Sequence, residues 1–338
     1  MSIIGQLSRP LMKIVYGDTS IPQEFTIGLR QPQGEIAVVL HGFGTPLDVT
    51  ERHTMACCAP FMMGVSLDGT GNSAQRERGD ISLRFCERGG DKRVLGVIRL
   101  ATKTVVPLRG SELILFDVLG STNYCLARVR LWAHYLPAAY SNWRRFKSFD
   151  VKMRSREIRA SQVAFIRPHP LMLGSVNGES GGNIFPMNLL GDLGNDYFAF
   201  ALKDSRRPAH LVERLGSLAV SNVPLPLCSV AFKLATNHTK ESIEWNSIPF
   251  PLTLSKNLLI PVPAAAPRVR EMKVDQVHKI GSHTLFIARI ISDEWHWDEP
   301  QVHIIHGFYQ HWRLRGDKAK LKSSLIEDSF NKRGLAAS

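Results

Sequence analysis

The stretch YFAFALKDSRRPAHLVERLG, residues 197–216, carries the clearest indication of the fold. It starts apolar at strand length, and from about residue 207 to 215 the apolar positions follow the spacing of an amphipathic helix that Gly216 suits as an exit. The charged run KDSRR (203–207) separates the two parts. Because backbone amides at a helix start and basic side chains both favour negative charge, this run is either a solvated turn or an anion site.

The composition indicates a globular protein of about two domains of the usual size of about 100–200 residues. The chain has 338 residues, of which 44% are hydrophobic and 21% charged, which excludes disordered and collagen-like classes. No window approaches the run of about 18 apolar residues that a membrane span needs, and the start lacks a secretion signal. We therefore expect a cytoplasmic protein with no membrane contact.

The charge is strongly basic, with 42 lysines and arginines against 30 acidic residues. More than half of the net charge of +12 lies in residues 128–160, which hold nine basic and two acidic side chains. No RNA-reading or DNA-reading motif accompanies this stretch, so we do not expect nucleic acid as a partner.

The first half, residues 1–150, is predicted to form a β-rich domain. Its strands are expected at the short apolar runs 35–42, 61–69, 92–108 and 111–120, which Gly, Pro or Asp bound. An amphipathic helix is expected to begin within 123–145 and to break at Pro137. Residues 147–160 then resemble a connection.

The second half, residues 155–315, is predicted to be an antiparallel barrel, because one helix lies among many strands. The five prolines of residues 247–267 predict an extended surface connection there. The tail, 316–338, is polar and basic. The predicted fold class is therefore mainly β.

A hydrolase site and a metal site each lack residues that they would need. IAVVLHGFG (36–44) resembles the oxyanion-hole turn of α/β-hydrolases, but the nearest Gly-x-Ser-x-Gly candidate, GVSLD (64–68), ends in aspartate. His303, His306 and His311 lack a cysteine or carboxylate cluster, so we expect no metal. Five cysteines without a CxxC pair argue against a disulfide framework and a zinc ribbon.

Four motifs in order over about 150 residues resemble the flavin reductase-like and flavoredoxin family, which has an FMN-binding split β-barrel. They are RPHPLMLGSVNGESGGNIFPMN (167–188), FALKDSRRPAHLVERLGSLAVSNVP (200–224), KIGSHTLFIARI (279–290) and IIHGFYQHW (304–312). The resemblance spans residues 160–313. Two departures concern the flavin contacts: Asn188 stands where the family often has Ser or Thr, and Ser205 where it commonly has Thr.

The resemblance implies a flavin site. A loop would line the isoalloxazine ring and the ribityl chain, comprising Asn183, Pro186, Met187, Asn188 and Leu189. The FMN phosphate would be held by Lys203, Ser205, Arg206 and Arg207. His283 would lie near the ring, where a nicotinamide stacks, although a strand histidine bonded inside the barrel is an equally simple interpretation.

The function implied is an FMN-binding flavoprotein, an NAD(P)H-dependent flavin reductase in which NADH or NADPH passes hydride to flavin N5. The alternative is a non-enzymatic electron carrier, like a flavoredoxin, that docks a partner through the N-terminal domain. Because the family forms homodimers with flavin near the subunit interface, we expect a homodimer. The N-terminal domain is expected to be a second β-barrel that extends this interface or covers the flavin.

Overall fold

The computed structural model describes residues 24–30, 35–69, 79–89, 92–144, 151–179 and 181–314, and for 137–144 it describes the backbone alone. The predicted tail, 316–338, lies outside these residues. The first described strand, β1 (Glu24–Leu29), belongs to a small sheet that is described below.

The N-terminal half forms a seven-stranded antiparallel sheet. Its strands are β2 (Ile36–His41), β3 (Leu47–Asp48), β4 (His53–Cys58), β5 (Phe61–Asp68), β6 (Ser82–Glu87), β7 (Val94–Leu108) and β8 (Ser111–Asn123). Their order across the sheet is β3-β2-β6-β7-β8-β5-β4. The prediction of a β-rich first half is confirmed. β5 shows why it forms: every residue is buried until the exposed Asp68, as expected for an apolar run that ends at the edge of the core.

Several helices and short strands surround the two halves. In chain order they are α1 (Arg128–Arg144), α2 (Ser155–Ala164) and β9 (His169–Pro170). The helix α1 continues through Pro137, so the predicted break there is wrong; an internal proline removes one helical hydrogen bond and kinks a helix without having to end it. The predicted connection at 147–160 contains the start of α2.

The C-terminal half forms a second seven-stranded sheet. Its elements are β10 (Met172–Gly178), β11 (Gly181–Met187), β12 (Leu190–Gly194), β13 (Tyr197–Lys203), α3 (Arg207–Leu215), β14 (Ser217–Asn222), α4 (Cys228–Lys233), β15 (Leu252–Leu254), β16 (Pro261–Pro263), β17 (Arg268–Ile280), β18 (His283–Trp295), β19 (Gln301–His306) and α5 (Gly307–Arg313). The strand order is β11-β10-β14-β17-β18-β13-β12. The predicted helix at about 207–215 is confirmed, and Gly216 ends it in the left-handed conformation with φ 64°. The prediction of a mainly β fold is confirmed.

Two smaller sheets complete the architecture. β19 lies between β1 and β9, which joins the first and last parts of the described chain. β15 and β16 pair within the proline-rich segment that the sequence predicts as a plain connection. No helix of the described residues is long and apolar enough to cross a membrane.

The two large sheets have the same strand order. When β2 to β6 are matched with β10 to β14, and β7 and β8 with β17 and β18, each strand has the same neighbours in both sheets. The register also corresponds, because the last residue of β5, Asp68, pairs with the first residue of β8, while Lys203 at the end of β13 pairs with the first residue of β18. The chain therefore contains an internal repeat of one sheet topology.

The halves contact each other at equivalent places. β4 and β12, the last strand of each sheet order, pack together, and the turn Ala59–Pro60 lies against the turn 281–282. There the backbone amide of Ser282 donates to the carbonyl of Ala59 at 2.9 Å. The corresponding turn of the C-terminal half brings the Asn195 amide next to Gly110. These reciprocal contacts are those of a pseudo-twofold arrangement inside one chain.

Gly191 allows the close approach of β12 to β4. A β-carbon at Gly191 would lie 2.2 Å from the carbonyl oxygen of His53, a backbone atom that cannot turn away. We expect Gly191→Ala to lower the free energy of unfolding by about 1–3 kcal/mol, the usual cost of overpacking, measured by urea denaturation. Gly89→Ala is the control, because nothing lies within 4 Å of its added methyl group. Equal stability of the two variants would contradict the close packing.

Candidate functional site

Lys203 and His283 are both predicted from the motifs, and the structure places them opposite each other on two neighbouring antiparallel strands. They end β13 and begin β18, and these strands are neighbours in the C-terminal sheet. Lys203 is half-buried and His283 is 5% exposed. The predicted phosphate-binding residue and the predicted ring-side residue therefore lie side by side, on the edge that meets the N-terminal half.

His283 contacts that half directly. Its Nδ1 lies 2.8 Å from the Ser282 hydroxyl and 3.9 Å from the Cys57 thiol. The Cys57 thiol also donates to the carbonyl of Ile280, at 2.9 Å. Burial, with a smaller effect of the Lys203 charge, lowers the pKa of His283 to about 4, so the imidazole is neutral at pH 7. His283 thus offers a hydrogen-bonding group and no positive charge.

Cys58 is the second residue of the N-terminal half at this site. Burial raises the pKa of its thiol to about 12, and the nearby charge of Lys203 only partly opposes that rise. The thiol is therefore protonated at neutral pH and unsuited to act as a nucleophile. All five cysteines are free.

The basic run 203–207 forms a turn into α3. The backbone amide of Arg206 donates to the carbonyl of Lys203 at 2.9 Å, and Arg206 is the N-cap residue of the helix. No side chain caps this helix start; Pro208 has no N–H, and the other amides of the first turn are available for an anion. Ser205 and Arg207, two of the predicted phosphate ligands, are exposed at this helix start.

The prediction of a loop along the flavin ring is wrong in part: Asn183, Pro186 and Met187 lie in strand β11, and only Asn188 and Leu189 lie in the short turn before β12. Asn183 is fully buried, and its amide nitrogen donates to the carbonyls of Asn237 and Lys240 at 3.1 and 2.8 Å. Met187 belongs to the buried core of the C-terminal sheet. Asn188 and Leu189 are partly exposed, and the Leu189 carbonyl accepts from the amide of Ala201 at 2.8 Å. Asn188 and Leu189 are thus the loop residues placed next to the end of β13.

His238 contacts β11 and lies near Arg206 of the basic turn. Its Nε2 donates to the carbonyl of Pro186 at 3.0 Å, and the charge of Arg206 adds to the burial that lowers the pKa of His238. The sequence argument missed His238, together with Cys57 and Cys58. His238 lies in the sequence Asn237-His238-Thr239, outside the four motifs, and the cysteines belong to a half without a recognisable motif.

The corresponding place in the N-terminal half has different residues. Asp68 stands where the C-terminal half has Lys203, and Ser111 stands where it has His283. Asp68 forms an exposed ion pair with Arg52. Since an aspartate would repel a phosphate, only the C-terminal half presents a cation at this position of the repeat.

Comparisons with known proteins give structural similarity to flavin-binding proteins. No protein-family model matches the sequence, and no curated protein matches it either. Among solved structures, the chain is similar to an NADH:FAD oxidoreductase from Streptomyces globisporus C-1027, with 16% identity, a TM-score of 0.40, and coverage of 45% of this chain and 89% of that one. The styrene monooxygenase flavin reductase from Pseudomonas putida S12 has 20% identity, a TM-score of 0.35, and coverage of 44% and 93%.

A third similar structure is an FMN-binding protein from Thermus thermophilus, with 20% identity, a TM-score of 0.35, and coverage of 38% of this chain and 71% of that one. Flavin reductases and FMN-binding proteins are the class that the sequence motifs resemble. The function proposed below rests on this chain's own residues.

Proposed function

We propose that this chain binds one FMN between its two halves and acts as an NAD(P)H-dependent flavin reductase. The observation that carries the proposal is the pairing of Lys203 with His283 beside the uncapped start of α3. A basic residue and free helix amides suit a phosphate, and a buried neutral imidazole suits the uncharged end of the same ligand.

The N-terminal half would take the place of a second subunit. The motif resemblance implies a homodimer, and the internal repeat supplies within one chain the contacts between halves that two copies would make. Cys57, Cys58 and Ala59 would complete the site from the opposite side. One chain would then carry one flavin site, because the equivalent position has Asp68.

The residues fit the phosphate end of FMN better than its ring. Lys203, Ser205 and the first amides of α3 would hold the phosphate, with Arg206 and Arg207 adding positive charge. Asn188 and Leu189 would lie along the ring, whereas the amide nitrogen of Asn183 is already committed to backbone carbonyls. Bound flavin would supply hydride acceptance from the nicotinamide, which needs no protein nucleophile. His283 would orient the reactants by hydrogen bonding.

The alternative is an electron carrier that binds FMN without reacting with a nicotinamide. Both functions use the same phosphate site, so the residues described do not separate them. The carrier would need a docking partner, and the internal repeat offers no feature specific to one.

The experiment that tests the proposal is an absorbance titration with FMN followed by anaerobic addition of NADH or NADPH. For the reductase we expect FMN to bind and its oxidised band to bleach at a rate that supports turnover. An oxidised band that persists after nicotinamide addition and bleaches only with a chemical reductant would favour the carrier. Failure of the purified chain to bind FMN would reject both functions.

A further inference from the structure

A second candidate site lies at the other end of β18 from His283. It is a cavity of about 150 Å³ lined by residues of both halves, and Trp295, the last residue of β18, forms part of its wall. Four arginines line it: Arg30, Arg167, Arg268 and Arg270. A junction this rich in guanidinium groups requires negative charge from within the protein or from a ligand.

Three of these arginines are neutralised by the protein. Arg30 pairs with Asp298 at 2.8 Å, and Arg268 donates to Asp293 at 2.7 Å. Arg270 is 0% exposed; it pairs with Asp192 at 2.6 Å, and its guanidinium lies over the ring of Phe198. Each of the three therefore has its own carboxylate.

Arg167 is the exception. Within the described part of the chain it forms no ion pair, and its Nε has no hydrogen-bond partner. Burial lowers its pKa to about 10, so it stays protonated at neutral pH. Glu51 also lines the cavity, but it is exposed and acts on Arg167 only through longer-range attraction. Of the four arginines, Arg167 alone has no carboxylate in direct contact in the described part of the chain, while Glu51, Asp192 and Asp48 attract it from a greater distance.

Other residues that line the cavity also have buried polar atoms without hydrogen bonds. His53 Nε2, Arg270 Nε and Asn222 Oδ1 are buried polar atoms with no hydrogen-bond partner. Buried polar atoms are nearly always bonded, so their grouping around one cavity favours a polar ligand there. The remaining wall includes the apolar side chains of Met172 and Leu190.

We propose that this cavity binds a small organic monocarboxylate, with its carboxylate on Arg167 and its apolar body against Met172, Leu190 and Trp295. A guanidinium fork matches a carboxylate geometrically. One guanidinium without a contacting carboxylate favours a single negative charge over the two of phosphate. A cavity of 150 Å³ has the size that holds one benzene ring, so benzoate is a suitable probe. The proposal is independent of the flavin function.

The test measures the thermal stability of the full chain against benzoate and, separately, inorganic phosphate. We expect benzoate to raise the melting temperature in a saturable manner and to change the fluorescence of Trp295, with phosphate giving no such effect. Arg167→Met should weaken benzoate binding at least about tenfold, the loss of one charge-assisted contact. Arg289→Met, which removes an exposed arginine elsewhere on β18, is the matched control.

Further variants keep the test decisive. If Arg167→Met does not fold, Arg167→Lys retains the charge without the fork and should still bind benzoate more weakly than the unsubstituted chain. Trp295→Phe should keep the thermal shift and lose the fluorescence change. The proposal is overturned if neither probe binds, if phosphate alone binds through Arg167, if Arg167→Met binds benzoate equally well, or if benzoate displaces FMN.

Discussion

Replacing Lys203 with alanine should weaken FMN binding by about 10- to 150-fold, because one charge-assisted contact contributes about 1.5–3 kcal/mol. The equivalent change in the other half, Asp68→Ala, should leave the affinity unchanged. Lys203 ends the strand that enters the uncapped start of α3, whereas Asp68 is held by Arg52 on the surface. Equilibrium titration of flavin fluorescence measures both affinities, and its end point should give one FMN per chain.

The control for general loss of positive charge is Lys256→Ala. Lys256 is exposed and pairs with Glu294 at 2.9 Å, at the end of β18 opposite to His283. Affinity that is unchanged in Lys203→Ala would remove this residue from the phosphate site. Two FMN per chain, or a comparable loss in Asp68→Ala, would contradict the single-site arrangement while leaving flavin binding itself intact.

The sequence predicts the part of the site whose residues are close together along the chain. A strand, a basic turn and a helix follow one another within residues 197–216, so apolar spacing and helix-end chemistry suffice to predict them. The structure pairs Lys203 with His283 because β13 and β18 are neighbours, and the motif order anticipates that both belong to one site.

The N-terminal contribution could not be predicted in the same way. The repeat is preserved in strand order and register, but its residues differ at the informative positions, as Asp68 and Ser111 show. The hydrogen bond from Ala59 to the Ser282 hydroxyl joins residues 223 positions apart. No local pattern encodes such a contact, which arises only when the two sheets pack.

The environment of Asn183 has a similar origin. The residues that accept from its amide, Asn237 and Lys240, lie between β14 and β17, where the C-terminal half has a long connection with helical turns. The N-terminal half has only residues 88–93 at the matching place. The motif predicts that Asn183 lies in a loop and contacts the flavin. In the structure this connection covers Asn183 instead.

Acidification should unfold the protein between about pH 4 and 6, because five histidines are buried in a neutral state. They are His53, His169, His283, His303 and His306, each 5% exposed or less. Burial lowers the pKa of His53 and His306 to about 3 and of His283 and His303 to about 4, and it lowers that of His169 well below the ordinary value. Between the lowered pKa values and the ordinary value of about 6.5, these histidines are therefore protonated in the unfolded chain and neutral in the folded chain.

The direction follows from these lowered pKa values. The contribution of each histidine to stability is complete above its unfolded pKa of about 6.5 and is lost as the pH falls toward the folded value. Well below pH 6.5 each buried histidine costs about 1.4 kcal/mol per pH unit, so five together cost about 7 kcal/mol per unit. A usual folding free energy of about 5–15 kcal/mol would be removed within one to two such units. Circular dichroism and tryptophan fluorescence across a pH series measure the transition.

His306→Asn provides the matched variant for this prediction. His306 is the N-cap of α5, where its Nδ1 accepts from the amide of Phe308 at 3.1 Å, and asparagine can cap a helix in the same way without taking up a proton. The variant should unfold with a pH dependence that is smaller by one proton, even if its stability at pH 7 is lower. A fully folded protein at pH 3, or an unchanged proton uptake in His306→Asn, would show that these histidines are not held neutral by burial.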